Sequence, residues 1–218
     1  MSDVLNNTSE NPEKKPTRIQ AENQRKIGEA ALETFAEFGF RGATIDVIAT
    51  RAGMSKPNML YYYKSKKDIY LAVLEQTLKD WLTPLVELDP AGDPQEEISS
   101  YIRRKLELSR QHPKASRLFA QEILNGAPHI QPVLSGSLKE LVERKCAVIQ
   151  GWIDEGKMAR VDPVHLVFMI WATTQHYADF QVQIEAVMGR AGAGPTIAKE
   201  AEKTLMSVFI SGLFSGDT

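Results

Sequence analysis

Apolar positions along the chain recur at the three-to-four-residue spacing of amphipathic helices, and no stretch alternates with the two-residue period of a strand. Ile27, Ala30, Ala31, Leu32, Phe35 and Phe38 make the first stripe, over residues 18–38, and Gly39 ends it. A short second stripe holds Ile45, Ile48, Ala49 and Ala52. Thr44 stands at its N-cap, where a hydroxyl accepts an orphan backbone N–H. Gly53 stops that helix, because glycine takes the left-handed turn without a Cβ penalty. Ser55 caps a third helix, and Pro57 sits in its first turn, where no N–H is needed. Ile69, Val73, Leu74, Leu78, Trp81 and Leu82 mark a long helix over residues 65–82, before Pro84, Pro90, Gly92 and Pro94 break the chain.

Further stripes predict helices over residues 95–111, 113–126, 133–155, 163–188 and 196–213, with the Gly/Ala/Pro segment 189–195 as a connection. The expected fold is all-α with about nine helices. Residues 1–17 are polar, with two prolines and hardly an apolar anchor, and read as a disordered tail. Residues 18–64 form a three-helix head and residues 65–218 a larger helical body.

Within the head, residues 44–66 have the build of a helix-turn-helix that docks on DNA. Thr44, Tyr62 and Lys66 are expected on phosphates, which fixes register. Ser55, Lys56, Asn58 and Tyr61 are expected at base edges, with Lys56 suited to guanine and Asn58 to adenine. Met59 is either a contact to a thymine methyl or a core residue.

Charge sharpens this picture. The formal net charge is −2, yet residues 13–67 hold 11 Lys/Arg against 6 Asp/Glu, while residues 68–218 hold 15 against 20. Cationic charge is therefore gathered at the head, the footprint of a phosphate-binding unit on an acidic body. No apolar run approaches the ~20 residues of a membrane span, and the N-terminal segment has no apolar stretch to act as a secretion signal. A single cysteine, Cys146, rules out an internal disulfide framework and suits a reducing cytoplasm; it reads as a structural thiol. The chain has no phosphate loop, nucleophile elbow or zinc-type Cys/His spacing, so no enzyme and no cofactor are expected. His176 and Asp179, three apart, lack a third ligand at useful spacing, and no metal is expected.

The run from Phe35 to Leu71 resembles the TetR family of bacterial transcriptional regulators. It carries Phe-x-x-x-Gly-Phe at the end of the first helix, Thr44 with Ile48-Ala49, Ala52-Gly53-Met54-Ser55, Tyr62-Tyr63 and Lys64-Ser65-Lys66. It departs at Leu60, where the family usually has tyrosine, and at Pro57, where glycine is commoner. The body is similar to the Rut pyrimidine-utilisation regulator subgroup. That likeness rests on Asp80-Trp81-Leu82-Thr83-Pro84-Leu85, Ser116-Arg117-Leu118-Phe119, Asn125-Gly126-Ala127-Pro128 and the run from Phe168 to Phe180. The resemblance implies a cytoplasmic regulator that binds a palindromic operator as a homodimer. It also implies a body that is a ligand-binding and dimerisation domain, sensing a pyrimidine base such as uracil or thymine.

The predicted helix over residues 163–188 is apolar on almost every side, as a helix covered by both a core and a second subunit must be. The resemblance implies a four-helix interface built from the two C-terminal helices of each subunit. Trp171 and Gln175, one turn apart, with Trp81 from the helix that joins head to body, suit a small flat ring with alternating N–H and C=O groups. Leu78 and Phe119 are the expected apolar walls. The same residues also serve as plain core fillers in a rival reading, in which the body docks a protein partner or an unrelated small metabolite.

Overall fold

The computed structural model describes residues 17–214, so all of the expected tail except Thr17 lies outside the described residues. Thr17 caps α1 (Arg18–Gly42) through a reciprocal box: its hydroxyl accepts from Gln20 N, and the Gln20 side chain accepts from Thr17 N at 2.8 Å. Then follow α2 (Ile45–Arg51), α3 (Lys56–Tyr62), α4 (Lys66–Val86), α5 (Pro94–Gln111), α6 (Pro113–Leu124) and α7 (Gln131–Val133). A π-helical turn, Leu134–Leu138, leads into α8 (Lys139–Asp154), followed by α9 (Pro163–Asp179), α10 (Gln181–Met188) and α11 (Gly194–Phe214). The described residues are all helix and connection, with no strand.

Three boundaries differ from the sequence expectation. The helix of residues 18–38 does not stop at Gly39; it bends there, with φ at +66°, and runs one more turn. Phe38 consequently leaves the core and is 47 % exposed, with the Arg51 guanidinium 5.5 Å from its ring centroid. Pro84 lies inside α4 instead of ending it, because Pro84, Leu85 and Leu88 are all buried against the body. At the last turn of a helix proline removes a single hydrogen bond, a small loss beside burying three apolar side chains.

The expected single helix over residues 163–188 is two. Asp179 and the Ala178 carbonyl are engaged by α6, through the Ser116 hydroxyl and the Arg117 guanidinium respectively. The chain turns at Phe180 (φ −113°, ψ 25°) and restarts as α10.

Two hydrophobic clusters organise the molecule. The first joins Ile27, Ala31, Phe35, Ile48 and Met59 of the head to Ile69, Tyr70, Leu74, Leu78 and Trp81 of α4, and to Leu118 and Phe119 of α6. The second gathers Leu85, Tyr101, Ile102, Ile149, Trp152, Val167, Ile170 and Phe209 from α4, α5, α8, α9 and α11. Cys146 is buried in that second cluster as a free thiol, and burial pushes its pKa up, as expected of a structural cysteine.

A polar knot ties the head to the body. The buried Glu122 carboxylate of α6 accepts from the Tyr70 hydroxyl at 3.2 Å and from His129 N at 2.7 Å. The His129 ring packs against both Phe40 and Tyr70, with centroids 4.5 and 5.1 Å away.

Candidate functional site

Two regions carry chemistry, the outer face of the head and the polar side chains gathered between α5 and α9 inside the body. In the head, Gly53 makes the turn at φ +67°, and Ser55 accepts from Asn58 N as the N-cap of α3. Thr44 likewise caps α2 by accepting from Val47 N. Both hydroxyls are exposed and keep their own protons free to donate. Lys56, Asn58 and Tyr61 project from α3 into solvent, Tyr61 with 73 % of its surface free. Lys56 pairs with Asp46 of α2 at 2.9 Å, an exposed contact that a base or phosphate can replace at little cost.

Three of the expected DNA contacts have other work. Met59 has no exposed surface and fills the core between the helices of the head, so of its two expected roles the structure gives it the core one and not the contact to a thymine methyl. Lys66 does not point outward. Its ammonium donates to the carbonyls of Ala43 (2.9 Å) and Arg41 (3.4 Å) and lies 4.7 Å from the Phe40 ring centroid. That binds the start of α4 to the end of α1, an internal use that competes with the expected phosphate contact. Tyr62 is half-buried, its oxygen accepting from Asn23 Nδ2 at 2.8 Å, so it braces α3 on α1 before it can reach a phosphate.

In the body, Leu78, Trp81 and Phe119 meet in the first cluster, with the Trp81 and Phe119 rings edge-on at 5.6 Å. Trp171 does not share that contact. It is half-buried against the second cluster, and its indole N–H donates to the Tyr101 hydroxyl at 2.6 Å. Gln175, one turn further along α9, is half-buried and makes no hydrogen bond with the described residues. The two tryptophans are joined instead through α5, which touches both. Tyr101 meets Trp171, and one turn on, the Lys105 ammonium lies 4.9 Å from the Trp81 ring centroid.

Polar side chains therefore run in two ladders at four-residue spacing, Tyr101, Lys105 and Ser109 on α5, and Trp171, Gln175 and Asp179 on α9. At one end the Tyr101–Trp171 hydrogen bond ties the ladders together, and at the other Asp179 is held by Ser116 of α6. Lys105 is 3 % exposed and makes no ion pair or hydrogen bond among the described residues. Burial pushes its pKa down to about 7, with the Asp179 charge partly opposing the shift. Burial also raises Asp179, against the lowering effect of the Ser116 hydrogen bond. The Ser109 hydroxyl is buried without a partner. Away from these ladders, an open groove of about 750 Å³ separates α1 from α4, and Trp81 alone of the five candidate ligand residues lines it.

Residues 27–73 match the family described as bacterial regulatory proteins, tetR family, and residues 74–215 match the family described as YcdC-like protein, C-terminal region. The chain belongs to the TetR family. It is a TetR-type transcriptional regulator, 46% identical over 199 residues to the HTH-type transcriptional regulator RutR of Escherichia coli K12, spanning 91% of this chain and 94% of that one. It is also 27% identical to an HTH-type transcriptional repressor of Streptomyces coelicolor, over 78% of this chain and 85% of the relative. A solved TetR-like transcriptional regulator from Rhodococcus sp. RHA1 superposes with a TM-score of 0.63 at 20% identity, covering 91% of this chain and 98% of that one.

The TetR head match extends into α4, as does the first hydrophobic cluster. Lys105 and Ser109 stand beside the candidate ligand residues of this TetR body without being among those expected from the sequence. Their signal was present in Tyr101, Lys105 and Ser109, polar groups four apart on a helix whose neighbouring Ile98, Ile102 and Leu106 are core residues.

Proposed function

We propose that this TetR regulator binds a palindromic operator as a homodimer and that a small flat heterocycle of the pyrimidine-base type sets its DNA affinity. The observation that carries the effector reading lies where α5 meets α9: the buried Ser109 hydroxyl has no partner, and the Lys105 ammonium, one turn away, lies 4.9 Å from the Trp81 ring centroid without an ion pair. An unpaired buried polar group costs about 1–3 kcal/mol, and a ligand that pairs it recovers that loss on binding. Trp81 supplies a flat face, Gln175 a carboxamide that both donates and accepts, and Leu78 and Phe119 apolar walls.

The dimer reading is supported by apolar side chains left uncovered on the two long C-terminal helices. Val164, Phe168 and Met169 face outward on α9, and Val208 on α11 lies among small residues, Thr204, Ser207, Ser211 and Gly212. A second copy packed there by a two-fold axis would present two α3 helices to major grooves about 34–36 Å apart. On each, Ser55, Lys56, Asn58 and Tyr61 are offered to base edges and Thr44 to a phosphate. No described helix is long and apolar enough to cross a membrane; we place the protein in the cytoplasm with its DNA.

Operator binding is measured with and without uracil or thymine, alongside the melting temperature of the free protein. Stabilisation by either base that disappears in Trp81→Ala, together with a base-dependent change in operator affinity, is the expected result. Trp81→Ala that melts and responds like wild type would remove this region from the effector site.

A further inference from the structure

The two unpartnered groups on α5 define what the region between α5 and α9 accepts. Lys105 is a buried cation with three donors and no acceptor, facing an indole ring and no counter-ion at bonding distance. Ser109, one turn away on the same face, has a hydroxyl with nothing to bond. A core filler would keep such groups satisfied or replace them by apolar ones, since an isolated buried charge is strongly disfavoured. Across from them stand Gln175, also without a hydrogen bond among the described residues, and Asp179, whose Oδ1 already accepts from Ser116. The α5 side thus offers donors, and the α9 side offers an acceptor and a two-way amide.

We propose that Lys105, with Ser109, determines the specificity of this site by donating to the carbonyl oxygens of a planar imide ring, a C=O–NH–C=O edge, and so selects oxo-substituted over amino-substituted rings. This rests on the reading of the α5–α9 region as the effector site and adds which ring edge is read. An amino group placed against the ammonium sets donor against donor and leaves both unpaired, the arrangement that rejects analogues most strongly. A carbonyl in the same place gains a charge-assisted hydrogen bond and ends the isolation of the cation. Burial lowers the Lys105 pKa to about 7, so at neutral pH the group is shared between ammonium and amine, both of which donate N–H bonds.

The full-length wild type, Lys105→Met and Ser109→Ala are titrated calorimetrically with uracil, cytosine and glutarimide, the last an imide on a non-pyrimidine ring. Wild type is expected to bind uracil and glutarimide, and cytosine at least about tenfold more weakly. Lys105→Met is expected to lose about tenfold or more in uracil affinity and most of the preference over cytosine. Equal uracil affinity in wild type and Lys105→Met overturns the proposal while leaving a pyrimidine effector in place. Lys105-dependent binding of glutarimide without any binding of uracil keeps the imide site and removes the pyrimidine reading. No binding of any of the three to wild type overturns both. If Lys105→Met does not fold, Ser109→Ala decides: an uracil-to-cytosine ratio unchanged from wild type overturns the proposal, and a reduced ratio supports it.

Discussion

Trp171 and Tyr101 are joined by a 2.6 Å hydrogen bond from the indole N–H to the phenol oxygen, across the most extensive helix pairing in the body, that of α5 with α9. Tyr101 is almost fully buried, and burial raises its pKa well above the usual tyrosine range, so the hydroxyl remains a neutral acceptor. Tyr101→Phe leaves the indole N–H without its partner and should cost about 1–3 kcal/mol. Trp171→Phe should cost a similar amount, and the double variant less than the sum of the two, by urea denaturation. Simple additivity would mean that the contact contributes nothing to stability.

Lys105 makes stability depend on pH in the direction opposite to a salt-bridged lysine. Its folded pKa, near 7, lies below the 10.5 of an exposed lysine. Below pH 7 it is charged in both states and the burial cost is complete. Between 7 and 10.5 the unfolded chain binds the extra proton, so stability rises with pH and the cost disappears. Lys105→Met should therefore melt above wild type at pH 6.5–7, by a margin on the order of a few kcal/mol at most. That margin should shrink steadily towards pH 10. A constant difference across the range would contradict an uncompensated buried ammonium.

Because Lys66 is satisfied by the Arg41 and Ala43 carbonyls, Lys66→Ala should leave the salt dependence of operator binding unchanged while lowering the unfolding midpoint of the protein. The exposed Lys64 and Lys67 have no such internal use. Their joint replacement by alanine should flatten the plot of log K against log salt by about one to two units. A one-unit flattening in Lys66→Ala alone would return that residue to the phosphate backbone.

Glu122 holds two donors at once, the Tyr70 hydroxyl and the His129 amide, at the seam between α4, α6 and the 126–130 loop. Glu122→Ala strands both in a buried site and should cost about 2–4 kcal/mol, whereas Tyr70→Phe, which removes a donor cleanly, should cost about 1 kcal/mol. Hydrogen exchange at residues 126–130 should speed up in the first variant and hardly change in the second. Equal effects would show that the carboxylate is not the centre of the knot.

Helical periodicity carried most of the architecture because its signals are local. The caps at Thr44 and Ser55 and the turn at Gly53 depend on residues within four of one another, and each forms as the chain order requires. The misplaced features depend on groups far apart in sequence. The break at Phe180 follows from Ser116 and Arg117, more than sixty residues away, taking the last polar groups of α9. The inward turn of Lys66 follows from carbonyls 23 and 25 residues earlier. At the candidate ligand site, the walls Leu78, Trp81 and Phe119 were legible as apolar positions on two helices. Lys105 carried one local signal, its place four residues after Tyr101 on a helix of core residues, but its burial is decided by α4 and α9, far from it in sequence.

Helix α4 supplies Ile69, Tyr70, Val73 and Leu74 to the packing of the DNA-facing helices, and Leu85 to the packing of the body. The unit that can be exchanged between such regulators is therefore not the helix-turn-helix by itself. A chimera spliced at residue 64 would ask Phe35, Ile48 and Met59 to pack against a foreign rod whose side chains were shaped for another head. A graft that carries residues 17–81 takes its own shaft with it, and leaves the recipient to match Leu82, Leu85 and Leu88 along α4 and the α6 surface of Leu118, Phe119 and Glu122. Operator specificity in this scaffold should thus be transplantable in one piece with the shaft that steers it, and refractory to transfer without it.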